Sequence, residues 1–295
     1  MPSSNRTGSF YMLLSVICFS MMDILVKLTT NDYPIGEVVF FRGLFGLIPI
    51  FFLIPKNKIF TFYKTNKPKL HFIRAFTGTF AMISIFIGVK YMQLAEVVSI
   101  AQAAPVFVTI FSIIFLKEVV GYKRWFAVLA GLIGVLFITK PGTGLFNIYS
   151  IFPIFFCIGF SIVAISIKRL SKTEPDYLIA FYFTALLIII SFIAFFFEEW
   201  TMPNILDFFY LCMIGISGSI ANLFMTTAYR KADASLITPL KYLSVLSAII
   251  FGYYIFSEVP SFTTIIGAII IITSSFVIFK REEIKGRRIS LPRQI

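Results

Sequence analysis

The chain has 295 residues, 58% of them hydrophobic and only 14% charged, with a formal net charge of +12. Soluble domains are roughly 45–50% apolar and about 25% charged, so this much apolar surface exceeds what one water-soluble core can hide and lipid must solvate part of it. The positive charge does not mark a nucleic-acid-binding face, because Lys and Arg are spread through short segments between apolar runs.

Ten apolar segments follow one another, over about residues 10–28, 37–54, 70–90, 94–116, 122–139, 147–167, 177–197, 208–228, 235–256 and 261–279. At 1.5 Å per residue each reaches across a hydrocarbon layer of roughly 30 Å, some with little to spare. Helices satisfy their own backbone groups in lipid, whereas barrel strands would be half as long and alternate in polarity. The expected class is therefore all-α, a polytopic membrane protein with ten transmembrane helices.

The first segment follows a single base, Arg6, and lacks a small-residue cleavage site, so it is read as a retained helix rather than a cleaved leader. It is interrupted by Asp23, with Lys27 one helical turn on. Arg42 lies at a similar depth in the second segment. Ionisable groups inside membrane helices are costly and tend to face an interior or a wet cavity. Asp23 and Arg42 are thus either substrate-binding groups, for a cation and a carboxylate respectively, or a structural ion pair between helices 1 and 2. Arg74, near the start of the third segment, reads as an inner-surface anchor.

Glu96 opens the fourth segment, where an acid also suits the helix dipole. Gln102 and Pro105 sit deeper, and the proline either frees a carbonyl beside a cavity or merely kinks the helix. Ala127, Ala130, Gly131 and Gly134 give the fifth segment a small-residue face suited to close packing. Farther on, Tyr182, Asn222, Tyr229, Lys241 and Tyr242 are polar side chains within apolar segments and complete the set of substrate-binding candidates. Lys241, flanked by Pro239 and Tyr242, either faces a cavity to bind an anionic group or snorkels to the inner surface. Trp125 and Trp200 lie at segment ends, as interfacial anchors do.

Charge in the loops orients the chain. With the N-terminus inside, the inner segments hold twenty Lys and Arg and the outer ones three, Lys27, Lys90 and Lys140. Both termini are then cytoplasmic, and 281–295 forms a basic cytoplasmic tail. The chain also repeats itself at a nearly constant lag. Phe19, Ser20 and Lys27 recur as Phe160, Ser161 and Lys168, Glu118 as Glu258, and Lys140 as Lys280. Residues 10–140 and 147–280 form two five-helix repeats, and an odd helix number per repeat makes them inverted with respect to the membrane.

The two repeat ends, Pro105 to Glu118 with Gly131 and Gly134 behind, and Pro239-Leu-Lys-Tyr242 to Glu258 with Gly267 behind, resemble those of EamA-type carriers of the drug/metabolite transporter superfamily. The resemblance covers about residues 10–280, and the sequence as a whole is most similar to the S-adenosylmethionine uptake carriers within that group. It implies a cavity between the halves lined by helices 1–4 and 6–9, with helices 5 and 10 peripheral. The implied function is secondary transport of S-adenosylmethionine across the inner membrane by alternating access, with exchange for S-adenosylhomocysteine. On that reading Asp23 or Glu96 faces the cationic parts, Arg42 or Lys241 the carboxylate, and tyrosine rings the purine or sulfonium.

The alternatives are an exporter of amino acids, drugs or other small metabolites and, in another class, a non-transporting assembly or lipid-handling protein. No enzyme motif is present: the single histidine, His71, has no HExxH or GxSxG around it, and there is no Walker loop to power transport with ATP. Cys18, Cys157 and Cys212 lie in apolar runs without metal or redox spacing. No cofactor, metal or nucleic acid is expected. The partners are a small-molecule substrate and the lipid bilayer, with a homodimer left open.

Overall fold

The computed structural model describes residues 2–58, 60–104, 106–107, 110–111, 122–139, 147–170, 173–231 and 238–290. Among these the secondary structure is entirely helical: α1 Pro2–Thr29, α2 Ile35–Phe52, α3 Pro68–Tyr91, α4 Leu94–Ala101, α5 Tyr122–Thr139, α6 Ile151–Leu170, α7 Asp176–Ala194, α8 Ile205–Lys231, α9 Leu243–Phe256 and α10 Phe262–Ser290. Six stretches are long and apolar enough to cross a membrane: Thr7–Thr29, Ile35–Phe52, Pro68–Tyr91, Ile148–Ile167, Asp176–Ala194 and Ile205–Ala228. Leu129–Thr139, Leu240–Phe256 and Phe262–Ser274 are apolar but shorter.

Proline sets several starts. Pro34 and Pro175 precede α2 and α7 in extended backbone, and Pro68 opens α3, where its missing N–H costs nothing. The expected continuous helices over 94–116 and 235–256 are corrected. Helix α4 ends at Ala101 with Gln102 as its cap, and a short 3-10 turn, Thr238–Tyr242, precedes α9. Each interruption has a proline close by in sequence, Pro105, which lies outside the described residues, and Pro239, and a proline removes a backbone donor. Helix α10 runs on to Ser290, so most of the basic tail continues a helix.

Packing is mainly between the two halves. Helix α1 lies along α8 and α3 along α6, while α2 is held by α7 and α8 and α7 by α2 and α3. Helix α4 meets α9, and α5 meets α10. Exchanging each helix of the first five for its counterpart in the last five turns α1–α8 into α6–α3 and α2–α8 into α7–α3, and maps α2–α7, α4–α9 and α5–α10 onto themselves. The small-residue face of α5 is used as expected. A Cβ on Gly134 would stand 2.9 Å from the Gly267 carbonyl oxygen, and one on Gly267 would stand 2.7 Å from that of Gly134, so the α5 and α10 backbones touch only because both residues are glycine.

The core shared by the halves is apolar, with Val38, Phe86, Ile100, Cys157, Leu187, Ile214 and Ile271 among its buried members. Outside, Phe52, Phe126, Phe197, Tyr254 and Phe262 stand exposed, the surface that lipid would cover. Among the described residues the largest fully buried side chain is not apolar at all but Arg42.

Candidate functional site

Helices α2, α3, α7 and α8 enclose a cavity with room for about one water molecule, roughly 10 Å³. Arg42 of α2 and Arg74 of α3 line it, 1% and 4% exposed. Neither the Nε and Nη2 of Arg42 nor the Nε and Nη1 of Arg74 has a hydrogen-bond partner among the described residues. Both guanidinium groups lie against the ring of Phe183, their carbons 5.2 and 4.1 Å from its centroid. Such contacts are worth roughly 0.5–2 kcal/mol, whereas burying an unpaired charge costs several kcal/mol, so the aromatic ring does not compensate the site.

Asp176 and Asn222 line the same cavity. The Asp176 carboxylate accepts from Arg230 Nη2 at 2.5 Å, on the more exposed side, and Asn222 Nδ2 donates to the Gly218 carbonyl at 3.1 Å. The cavity therefore gathers two uncompensated cations, one acid already shared with another base, and several neutral polar groups.

A second polar cluster forms where the helices break. Gln102 Nε2 donates to Ser244 Oγ at 2.8 Å, and Ser244 Oγ donates to the Lys241 carbonyl at 2.7 Å. The Lys241 ammonium stands 4.7 Å from the centroid of Phe160 on α6. This cluster joins the end of α4 to the start of α9, so the two interruptions that the sequence places at equivalent repeat positions meet in space.

The end of the bundle that carries the C-terminus of α1 is tied across the halves. Lys27 pairs with Glu258 Oε1 and donates to the Met92 carbonyl at 2.6 Å, while Glu258 Oε2 accepts the Leu94 N–H at 2.8 Å. Ser257, in the left-handed region at φ 54°, ends α9 so that Glu258 turns back onto the bundle. Glu198 accepts the Gly36 N–H at 2.9 Å, Glu37 accepts the Thr201 N–H at 3.3 Å, and the Tyr33 hydroxyl donates to Asp207 at 2.8 Å. Burial raises the Tyr33 phenol above its usual range and the Asp207 hydrogen bond adds to this, which keeps it a donor. At the opposite end ties between halves include Thr65 to Glu174, 2.8 Å, Tyr182 to the Tyr63 carbonyl, 2.5 Å, and the Lys231 ammonium over the Tyr11 ring, 5.3 Å.

The expected site residues are thus dispersed. Arg42 and Asn222 line the cavity. Gln102, Lys241 and Tyr242 lie at the helix break. Glu96 instead accepts from Thr264 on α10 at 3.2 Å, at the tied end, which removes it from the cavity. Tyr182 leaves α7 in a different direction from Phe183 and meets His71 in a tilted ring pair at 4.5 Å, because neighbouring helical residues differ by about 100° in direction. Asp23 is half-buried and bonds to none of the described residues, so the expected ion pair with Arg42 does not form. The side chain of Tyr229 lies outside the described part of the chain.

Arg74 is the residue that sequence reasoning misplaced. It belongs to the buried stripe His71, Arg74, Ala75 and Gly78 and is no surface anchor. The small residues at helical spacing beside it were the available signal. The Lys27–Glu258 pair was also missed, although both residues recur at the repeat lag.

Comparison with known proteins follows this geometry. The EamA-like transporter family matches the chain twice, at residues 6–140 and 147–280. The S-adenosylmethionine uptake transporter of Rickettsia felis is 29% identical over 286 residues, 96% of each chain, and that of Rickettsia prowazekii 28% over 279 residues, 94% of this chain and 93% of the relative. The pseudopaline exporter CntI of Pseudomonas aeruginosa is 25% identical over 280 residues, 94% of this chain and 98% of the exporter. One crystal structure superposes with a TM-score of 0.64 at 18% identity, covering 98% of both chains, a likeness of fold.

Proposed function

The chain belongs to the EamA-like transporter family, matched over both of its halves, and from that premise we propose that it is a secondary carrier taking up S-adenosylmethionine in exchange for S-adenosylhomocysteine. Ten transmembrane helices, as two inverted repeats of five, would expose one cavity alternately to either side of the inner membrane. The exchange symmetry of the helix packing supports the repeats, and the excess of basic residues on one side supports cytoplasmic termini.

The observation that carries the reading is the cavity itself. Two buried arginines, each with two guanidinium nitrogens that find no acceptor among the described residues, face a space built by α2 and α3 of one half and α7 and α8 of the other. A fold stabilised by unpaired buried charge makes little sense, whereas a fold that receives a charged solute does. S-adenosylmethionine supplies a carboxylate for the guanidiniums, a purine for an aromatic face, and a net charge of about +1. An inside-negative potential favours its entry by about 2.3 kcal/mol per 100 mV. The tied end carries the outer loops on this orientation, and the Lys27–Glu258 latch there would break and reform in each cycle.

A second reading is export of a carboxylate-bearing metabolite. It is favoured by the excess of cations over acids in the cavity and by the likeness to the pseudopaline exporter. Uptake of labelled S-adenosylmethionine into vesicles reconstituted with the folded chain separates the two. Saturable uptake accelerated by internal S-adenosylhomocysteine is expected. Its absence, with efflux of amino-acid derivatives instead, would replace the first reading by the second.

A further inference from the structure

We infer that the cavity between α2, α3, α7 and α8 takes the α-amino-acid end of its ligand, with the carboxylate bridging Arg42 and Arg74 and the ammonium beside Asp176. This rests on the transport reading above and names the chemistry recognised at that site.

Arginine presents its donors in a rigid planar fork that matches a carboxylate in two parallel hydrogen bonds. Two such forks with free Nε and Nη atoms converge on one cavity. Phe183 packs against both, which fixes their planes and closes their remaining faces to water. One carboxylate has two oxygens and about four lone-pair directions, enough to serve both guanidiniums at once. A ligand lacking that group leaves two buried cations uncompensated, and a site built for a hydrogen-bonding group rejects the analogue without it far more strongly than an apolar pocket rejects a missing methylene.

The other lining groups refine the class. Asp176 is the acid in this lining, and Asn222 has its amide nitrogen engaged with Gly218, which leaves its carbonyl oxygen as an acceptor. The arginine forks by themselves would also match a phosphate; what suits the site to a zwitterion is the acid beside them, Asp176, which already shares its Oδ1 with Arg230 and could take an ammonium as a second partner. The roughly one-water room in this conformation means that α2 and α3 must part from α7 and α8 to admit the group. Parting at the end that holds Tyr63 and Tyr182 would leave the Lys27–Glu258 pair at the other end intact.

The test uses the full chain in lipid nanodiscs, with thermal stabilisation and displacement of labelled S-adenosylmethionine as separate readouts. The probes are S-adenosylmethionine, its decarboxylated form, methionine, adenosine and inorganic phosphate. The decarboxylated form should bind at least tenfold more weakly than the intact one, methionine should stabilise the protein, and adenosine and phosphate should not. Arg74→Gln and Arg42→Gln should abolish the preference for the carboxylated ligand, with Arg74→Lys retaining part of it.

Should the Gln variants fail to fold, arginine modification of the wild-type chain by phenylglyoxal decides, since methionine should protect and adenosine should not. Equal binding of intact and decarboxylated ligands, stabilisation by phosphate comparable to methionine, or a preference unchanged in both Gln variants would overturn the assignment. If S-adenosylmethionine does not bind but another amino acid stabilises the chain through Arg74, the uptake reading falls and the present inference stands.

Discussion

The two charged regions of this bundle are built on opposite rules. At the tied end Lys27, Glu258, Glu37 and Glu198 each meet a partner from the other half. In the cavity Arg42 and Arg74, more deeply buried than Glu198 and Glu258, have guanidinium nitrogens with no partner among the described residues. Satisfied buried charges hold elements together and resist removal of either member. Unsatisfied ones store unfavourable energy that only a ligand can release. On the proposed function, the contrast would separate residues that close the carrier from residues that read its cargo.

The largest expected effect falls on the cavity. Arg42→Met or Arg74→Met should reduce substrate uptake by at least tenfold. Each should also raise the stability of the ligand-free protein, by about 1–3 kcal/mol, because an unpaired buried cation is replaced by an apolar chain of similar size. Thermal unfolding in detergent alongside vesicle uptake checks both halves of this statement, and a fall in stability would move the arginines into the structural class.

The latch should respond with the opposite sign. Glu258→Gln leaves Lys27 buried without its counter-charge and should cost about 3 kcal/mol. The double variant Lys27→Met with Glu258→Gln should recover most of that loss, and its coupling in a double-mutant cycle should exceed ~1 kcal/mol. The same variants should increase access of membrane-impermeant thiol reagents to a cysteine introduced at Asp23. Unchanged labelling would show that this pair does not control entry.

Smaller effects belong to positions that serve neither rule. Gly267→Ala pushes a methyl into the α5–α10 contact and should cost about 1–3 kcal/mol with the substrate preference intact, measured as stability and as relative uptake of two ligands. Ser257→Gly should stabilise by roughly 1 kcal/mol, since the left-handed conformation costs a residue with a Cβ about that much and a glycine nothing. A loss of stability there would show that the Ser257 side chain does more than permit the turn.

Much of the architecture was legible in the residues themselves. Apolar run length marked α1, α2, α3, α6, α7 and α8 as spans, and the fifth segment's glycines marked its packing partner face. The breaks at Gln102 and at Thr238–Tyr242 were less so, although Pro105 and Pro239 stood beside them. Of the expected site residues, Arg42 and Asn222 share one cavity while Glu96 and Tyr182 contact other groups, and Arg74, assigned to the surface, is buried. Depth along a helix is readable from sequence spacing. The direction in which a side chain leaves that helix, and which neighbour waits there, is much less so in a chain whose every face is apolar.

The sequence by itself determined that this is a helical membrane chain whose family model matches it twice, with its rare charges placed at definite depths. Those conclusions follow from the cost of exposing apolar surface to water and backbone to lipid, which is paid locally and needs no knowledge of neighbours. The tertiary structure alone decided that Lys27 finds Glu258 while Arg42 and Arg74 share the ring of Phe183 and leave guanidinium nitrogens without partners among the described residues. Whether a buried charge is a fastening or a binding group depends on partners brought from the far half of the chain, and that is a property of packing.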